Sequence, residues 1–402
     1  MSNNNTFIDF RDISRNSKNK KIILFGAGEI ATKTIRKLDT SPSYIVDNNP
    51  NMHGSKDNAL SVNHPRDIKK ELNISIIIIC TTSFQEVSIQ LNEMGFKKNL
   101  DYFVSPILND LLILSQLSDL KTEIIFSSGA PISDNEDYGG GIYKVSINGL
   151  KYQVDKKING TTHGIIKKDS FYYANNHKYG LIKFNKNFEI LKKIEMPMGS
   201  RPHGLTYSKL TNKFYIVLSY RDSFLIINDN FEIEDEVFIS DKFKDYNSPV
   251  HHCNDICNKN SSIFVSMFSK SGNWKNDVFD GCIMEIDIKS KKIIGSVKEN
   301  LWMPHNVTFI DGGLTVLDSL TGELLKDNFR VIGKFPGFTR GILFDGGLFF
   351  IGQSRNRNFS KYLGNSYNIS IDTSIIVFDD KSKVSRSIHL DPRISEIHSI
   401  IN

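Results

Sequence analysis

Up to residue 120 the apolar residues fall in short solid runs, each followed by a stretch with helical spacing. Ile22–Phe25 reads as a buried strand and the segment after Gly28 as a helix. "SYIVD", ending at Asp47, is a second strand, and the turn-rich "NNPNMHG" follows it. A helix over 65–72, the apolar run "ISIIIICTT", a helix over 84–94 and the short strand "DYFV" complete the series. Strands alternating with helices predict a small parallel sheet with helices on its faces.

From Lys121 the pattern changes. Short β-rich runs such as "KFYIVLSY" and "SFLIINDNFEIEDEV" alternate with Gly, Asn and Asp turns, which predicts an all-β region. One motif sets its period: "TTHGII" (161–166), "SRPHGLTY" (200–207), "HHCNDI" (251–256) and "MPHNVT" (303–308). His163, His203, His252 and His305 are separated by 40, 49 and 53 residues, and each is followed by the makings of four strands. Such units are the signature of propeller blades. "FTRGILFDGGLFFIGQS" fits the frame with Arg340 in the histidine's place, and "SEIHSIIN" places His398 in register with one strand left. The missing strands are available at 123–150, and joining the two chain ends in one blade removes an exposed edge. The predicted fold class is α/β plus all-β: a small Rossmann-like parallel sheet followed by a six-bladed β-propeller closed by pairing of its two chain ends. The boundaries expected are a polar tail over 1–20, an α/β domain over 21–120 and the propeller over 121–402.

Composition narrows the setting. In 402 residues, 39% are hydrophobic and 24% charged, enough apolar material for a core. The net charge of +5 comes from scattered lysines, which gives no footprint for nucleic acid. The polar start lacks the apolar stretch of a signal peptide, and "ISIIIIC" (74–80) is too short to span a bilayer. Four cysteines do not make a disulfide scaffold at this size, so a cytoplasmic protein with reduced thiols and no membrane span is expected.

The first strand runs into Gly26-Ala27-Gly28, with Ala31 in the third small position, and Asp47 stands 19 residues beyond Gly28. Glycines after a strand allow a tight turn and close approach of a phosphate, and a carboxylate at that distance suits a ribose. With "FGAG", the "DNNP…G" loop, the isoleucine strand and a helix ending in Gly95-Phe96, residues 20–118 resemble the small Rossmann-like domains of bacterial glycan and sugar-nucleotide biosynthesis proteins. The resemblance implies nucleotide, nucleotide-sugar or NAD binding at Gly26, Gly28 and Asp47. The domain has no second mononucleotide half, so a purely structural module is the competing reading.

Five of the ten histidines hold one repeat position, the entrance of each blade's innermost strand. Those entrances ring one mouth of a propeller channel. The bland reading is a blade-capping histidine that braces a turn. Of the chemical readings, one is a divalent metal site for Fe, Mn or Zn on His163, His203, His252, His305 and His398. The other is an anion clamp in which His203, His252, His305 and Arg340 bind a phosphate, sulfate or carboxylate, with one histidine as general acid or base. Arginine in the ring favours the anion. Arg201 and Thr339 are expected to reach the rim, and Asn254, Asp255 and Asn306 to cap turns. "HHCNDIC" looks like a zinc pattern, but a strand entrance points His251, His252, Cys253 and Cys257 in different directions. The acidic loop 134–141 and the basic insertion 354–365 read as solvated loops. The glycine-rich start and the H-G and H-N repeats over 121–400 resemble an uncharacterised bacterial six-bladed propeller family with axial histidines. They are similar also to arylsulfate sulfotransferases and metal-dependent antibiotic-lactone lyases, though no motif matches closely enough to carry a mechanism over.

The combination predicts an enzyme of bacterial surface-polysaccharide or sugar-nucleotide metabolism. It would carry out epimerisation, elimination or group transfer on a phosphorylated or nucleotide-linked sugar. A non-enzymatic glycan- or partner-binding scaffold and an NAD-dependent oxidoreductase are the alternatives.

Overall fold

The computed structural model describes residues 9–130, 137–357 and 368–402. Parts of the acidic loop 134–141 and of the basic insertion 354–365 lie outside them. The chain divides into two compact units, Met1–Asp119 and Leu120–Asn402.

The first unit runs α1 (Phe10–Asn16), β1 (Lys21–Phe25), α2 (Glu29–Ile35), β2 (Tyr44–Val46), β3 (Lys56–Asp57), β4 (Leu60–Asn63), β5 (Ser75–Ile79), α3 (Phe84–Glu93), β6 (Tyr102–Val104) and α4 (Asn109–Ser118). The strands form one mixed sheet in the order β3-β4-β2-β1-β5-β6. All neighbours are parallel except β3, which is antiparallel to β4. Alternate residues of β1 and β5 serve opposite faces, as strand geometry requires. Ile23, Phe25, Ile77 and Ile79 pack with Val87 and Leu91 of α3, whereas Ile22, Leu24, Ile76 and Ile78 pack with Ile13 of α1 and Ala31 of α2. The polar tail is therefore shorter than expected. Asp9 and Asp12 form a reciprocal capping box, and the fully buried Ile13 ties α1 to the sheet.

The second unit is a six-bladed β-propeller. One sheet joins the chain ends: β7 (Lys121–Ser128), β8 (Gly141–Asn148) and β9 (Lys151–Asn159) pair outward from the last strand of the chain. Five sheets follow in sequence order. They comprise β10 (Thr162–Lys168), β11 (Phe171–Asn176), β12 (Gly180–Phe184) and β13 (Ile190–Ile194), then β14 (Pro202–Ser208), β15 (Lys213–Leu218), β16 (Ser223–Asn228) and β17 (Ile233–Phe238). After helix α5 (Lys242–Tyr246) come β18 (Cys253–Lys259), β19 (Ser262–Met267), β20 (Gly281–Asp287) and β21 (Ile293–Leu301). Next are β22 (Pro304–Ile310), β23 (Gly313–Asp318), β24 (Glu323–Lys326) and β25 (Arg330–Lys334), then β26 (Phe338–Asp345), β27 (Leu348–Ser354), β28 (Ser374–Asp379) and β29 (Val384–His389). The chain ends with β30 (Ser399–Ile401), which pairs antiparallel with β7. The innermost strands are neighbours in order, β10 beside β14, β14 beside β18, and so on to β26 beside β30 and β30 beside β10. No described helix is long and apolar enough to cross a membrane.

The repeated motif has a structural half. In each of the five consecutive blades the pairing of the inner strand shifts register just after its start, between Thr162 and Ile165, Pro202 and Leu205, Cys253 and Ile256, His305 and Thr308, and Thr339 and Ile342. A bulge re-aims side chains and suspends strict alternation. The glycine after the histidine is needed because adjacent inner strands nearly touch. A Cβ on Gly204 would stand 2.6 Å from Asp255 Cα, and one on Gly164 2.5 Å from the His203 carbonyl oxygen. Where the motif is H-N, polar atoms stitch the strands instead. Asn306 N–H donates to Asp255 Oδ2 at 2.7 Å, and Asn306 Oδ1 accepts from Ile342 N–H. Asp255 and Asn306 thus join blades, where turn caps had been expected; the bulge is the reason.

Candidate functional site

The antiparallel course of a blade brings three kinds of segment to one end: the start of the inner strand, the turn between its second and third strands, and the connection arriving from the previous blade. The histidines occupy the first. His177, Phe268, Trp274, Arg357 and Gly129 come from second-to-third-strand turns, and Glu396 comes from the connection leading to β30.

These residues converge. The rings of His163 and His203 stack with centroids 3.9 Å apart, His398 stands edge-on to His163 at 4.2 Å, and His177 lies 4.7 Å from it. His252 is 6.0 Å from His203, and His305 is 6.4 Å from His398. The structure therefore brings together all five histidines of the repeat and adds His177. Their main chains are pinned across blades: Ser127 Oγ donates to the His163 carbonyl, and Asn175 Nδ2 donates to the His203 carbonyl at 2.7 Å.

Arg340 is buried and shares this space. Its Nε lies 3.4 Å from His305 Nε2, its Nη2 is 3.4 Å from Glu396 Oε1, and its guanidinium carbon is 4.5 Å from the Phe338 ring centroid. Glu396 also pairs with Arg357 and, through Oε2, with His398 Nε2 at 3.0 Å. As a carboxylate it accepts from His398, which makes Nδ1 the acceptor nitrogen of that ring. Glu396 went unnoticed in the sequence, although it stands two residues before its histidine just as Arg201 stands before His203.

Electrostatics follow from burial. Removal from water holds His163, His203 and His305 well below the ordinary imidazole range, and places His252 at about 3 and His398 at about 4. The imidazoles are neutral at pH 7, so the positive charge of the site belongs to its arginines. Burial also lowers Arg340, to about 10, against the attraction of Glu396, leaving it charged. Burial works against Glu396 ionising, but Arg340 and His398 outweigh it and hold the carboxyl well below its usual range.

Among the described residues several buried polar atoms here have no hydrogen-bond partner: both ring nitrogens of His163, Nδ1 of His252, Nη1 of Arg340 and Nε1 of Trp274. Each such group costs about 1–3 kcal/mol when left unmatched. His203 Nδ1 meets the Arg201 carbonyl at 3.1 Å, and His305 Nδ1 meets the Met303 carbonyl and Ser319 Oγ, so those two rings are braced on one side. Arg201 reaches Tyr220 through its guanidinium. Thr339 is buried with its hydroxyl unmatched.

Among the described residues no three His, Cys, Asp or Glu side chains are disposed to hold a metal ion. Lone pairs lie in the ring plane, so the stacked His163 and His203 turn faces rather than nitrogens to each other. In "HHCNDIC" the residues diverge as expected. His251 bridges Ser240 Oγ and the Ser269 carbonyl, His252 packs between Phe268 and Trp274, and Cys253 and Cys257 are buried thiols with raised pKa.

In the first unit, Gly26 and Gly28 both have positive φ, +107° and +120°. A Cβ on Gly26 would be 2.9 Å from the Cys80 carbonyl oxygen, so the turn requires glycine. Asp47 does come to this turn, where its Oδ2 accepts the Ala27 N–H at 2.7 Å. Asp57, on β3, accepts the Gly28 N–H at 2.8 Å. The chain's own carboxylates thus take the two amides that a phosphate would use.

A model of a domain of unknown function (DUF4915) matches residues 239–401, from the connection into β18 through β30. No curated protein matches the chain. Among solved structures, a chain of a nidogen/laminin complex is similar at 12% identity and TM-score 0.48, over 69% of this chain and 96% of that one. A protein of unknown function from Bacteroides caccae is similar at 13% and 0.46, over 70% and 98%. Virginiamycin B lyase from Staphylococcus aureus is similar at 12% and 0.41, over 68% and 88%. None of them carries an activity across to this chain.

Proposed function

We propose that the chain is an enzyme of bacterial surface-polysaccharide or sugar-nucleotide metabolism whose propeller mouth does acid–base chemistry on an anionic, phosphorylated or nucleotide-linked sugar. The observation that supports it most is the meeting of neutral His163, both ring nitrogens unmatched, with His398 held by Glu396 and with Arg340. Epimerisation, elimination and group transfer share one need: a neutral base that accepts a proton and an acid that returns it. His163 is the base in this reading. Burial keeps it unprotonated, and an anionic substrate raises its proton affinity as it binds, since an adjacent negative charge favours imidazolium. Arg340 directs Nη1 to a substrate oxygen, and Glu396 fixes the tautomer of His398. His203, His252 and His305 complete the wall. The blades are proposed to form a closed ring, so that this mouth is rigid.

Neutral imidazoles are also a donor set for Fe, Mn or Zn, and the unmatched nitrogens of His163 favour this as a second reading once the rings turn. In the first unit, nucleotide or NAD recognition at the Rossmann-like turn of Gly26, Gly28 and Asp47 would require a phosphate to displace Asp47 from the Ala27 amide and Asp57 from the Gly28 amide. That unit's role is therefore proposed as secondary.

The test is a substrate panel of sugar phosphates and nucleotide sugars with wild type, His163→Ala and His398→Ala, alongside elemental analysis of untagged protein. Turnover abolished in both variants with folding retained supports the acid–base reading. Near-stoichiometric metal lost in His163→Ala moves the mechanism to the metal. Turnover surviving both variants sinks the mouth as the site, and a binding scaffold then remains.

A further inference from the structure

The mouth has two unlike sides. Around His163, His203 and His398 it is imidazole, carboxylate and arginine. Around His252 and His305 it is aromatic. Phe268, Phe338, Met303 and Leu320 form an apolar cluster of their own, separate from the blade cores, against which Trp274 and Phe279 pack. His252 lies 4.3 Å from Phe268 and 4.6 Å from Trp274, and His305 lies 5.2 Å from Phe268 and 5.3 Å from Phe338. Trp302, 39% exposed, joins through Phe279 at 6.4 Å. Both tryptophans of the chain are therefore at this one place.

A blade needs no such cluster for its own core. The blade that supplies Phe268 and Trp274 spends residues 268–280 on its mouth turn, whereas the equivalent turn before β16 takes only 219–222. The aromatic side also carries polar tips without partners among the described residues, Trp274 Nε1 and Nδ1 of the nine-tenths-buried His252. Aromatic faces with convergent N–H and imidazole groups suit a ring whose C–H face is apolar and whose edge carries hydroxyls. The other side supplies charge: Arg340 and Arg357 share the carboxylate of Glu396, and Arg201 and Asp255 also act on Arg340, so three guanidinium groups face two carboxylates and one positive charge is in excess.

We infer that the mouth contains two subsites: an aromatic one, Trp274 backed by Phe268, that takes the pyranose ring of a sugar, and a cationic one, Arg340 with Arg357, that takes its anionic substituent. The inference rests on the reading of the mouth as a site for an anionic sugar and adds how that sugar lies. The ring is placed over blade β18–β21 and the charged group over blade β26–β29, with His163 and His398 beside the bond between them.

With Trp302→Phe, Trp274 becomes the only tryptophan and reports on its own subsite. The probes are methyl phosphate, glucose 1-phosphate and galactose 1-phosphate. The result expected is that a hexose phosphate shifts the Trp274 emission and binds roughly tenfold more tightly than methyl phosphate, the gain typical of one good aromatic stack with hydrogen bonds. In Trp274→Leu, followed by calorimetry, that advantage falls to within about twofold while methyl phosphate binding holds, one ring contact having been removed. Trp274 is on a partly exposed turn, and Trp274→Phe, which keeps the stacking face, is expected to retain most of the advantage. If the phosphates bind but neither hexose has an advantage over methyl phosphate, or a hexose keeps it in Trp274→Leu, the aromatic subsite is overturned and the anion site stands. If none of the phosphates binds, the anion reading fails and the inference falls with it.

Discussion

Glu396 Oε2 lies 3.0 Å from Nε2 of His398, two residues further along, and the same carboxylate carries Arg340 and Arg357 on its other oxygen. One buried acid thus organises a base, a buried arginine and a rim arginine. Glu396→Gln keeps the shape and removes the charge, leaving buried Arg340 with Asp255 as its remaining acid. Breaking a buried pair from one side costs about 3–5 kcal/mol. The exposed Arg357 contributes little to that sum. Urea unfolding is the measurement, and a loss under about 1 kcal/mol would mean Arg340 is solvated instead.

The second prediction concerns pH. His163, His203, His252, His305 and His398 have folded pKa values below the ordinary 6.5, so the unfolded chain takes up their protons first. Their contribution to stability is whole above pH 6.5 and drains away as pH falls towards their folded values, about 4 for His398 and about 3 for His252. Each one costs about 1.4 kcal/mol per pH unit in that window. Glu396, depressed in the fold, adds a further loss below its ordinary 4.5. Asp318, raised to about 7 by burial, and Asp255, raised to about 6, work the other way, so urea midpoints between pH 7.5 and 5 should fall by the difference, and His163→Phe should flatten the slope. A flat wild-type profile would contradict the burial of the imidazoles.

Gly129 lies where His398 Nε2, His163 Nε2 and Glu396 Oε2 meet. An added Cβ would be 2.7, 2.8 and 2.9 Å from them. Gly129→Ala therefore overpacks the cluster, at about 1–3 kcal/mol, and is expected to shift the imidazole NMR resonances of His163 and His398. Gly295→Ala on an outer strand, where a Cβ meets nothing within 4 Å, is the neutral control. Equal effects of the two would remove Gly129 from the site.

At the glycine turn of the first unit, Asp57→Ala frees the Gly28 amide and should cost about 1.5–3 kcal/mol, the worth of one charged hydrogen bond to a main-chain N–H. Hydrogen exchange at Gly28 is the direct readout, and unchanged protection would show that Asp57 does not hold the turn.

Much of this architecture was legible in the chain because it depends on local pattern. Strand alternation, turn residues and the recurring H-G or H-N mark blades, and the register of Arg340 and His398 identified the last two, including the joining of the chain ends. The β-α series of the first unit was readable for the same reason, since its strands are solid apolar runs. The capping box at Asp9 and Asp12 was there to be read as well, but seven helical residues inside a polar stretch give a weak periodic signal.

What the sequence by itself determined is thus the number of blades and the position on each that faces the mouth, because periodicity is a property of neighbours along the chain. Tertiary structure alone decided the chemistry at that mouth. Burial made the imidazoles neutral, a bulge turned Asp255 and Asn306 from caps into ties between blades, and Glu396, Arg357, Gly129 and Trp274 came in from turns and connections that share no motif. Asp57 likewise took the Gly28 amide from a strand 29 residues away. Desolvation and contact between distant segments depend on how the whole chain packs, and no spacing in the sequence encodes them.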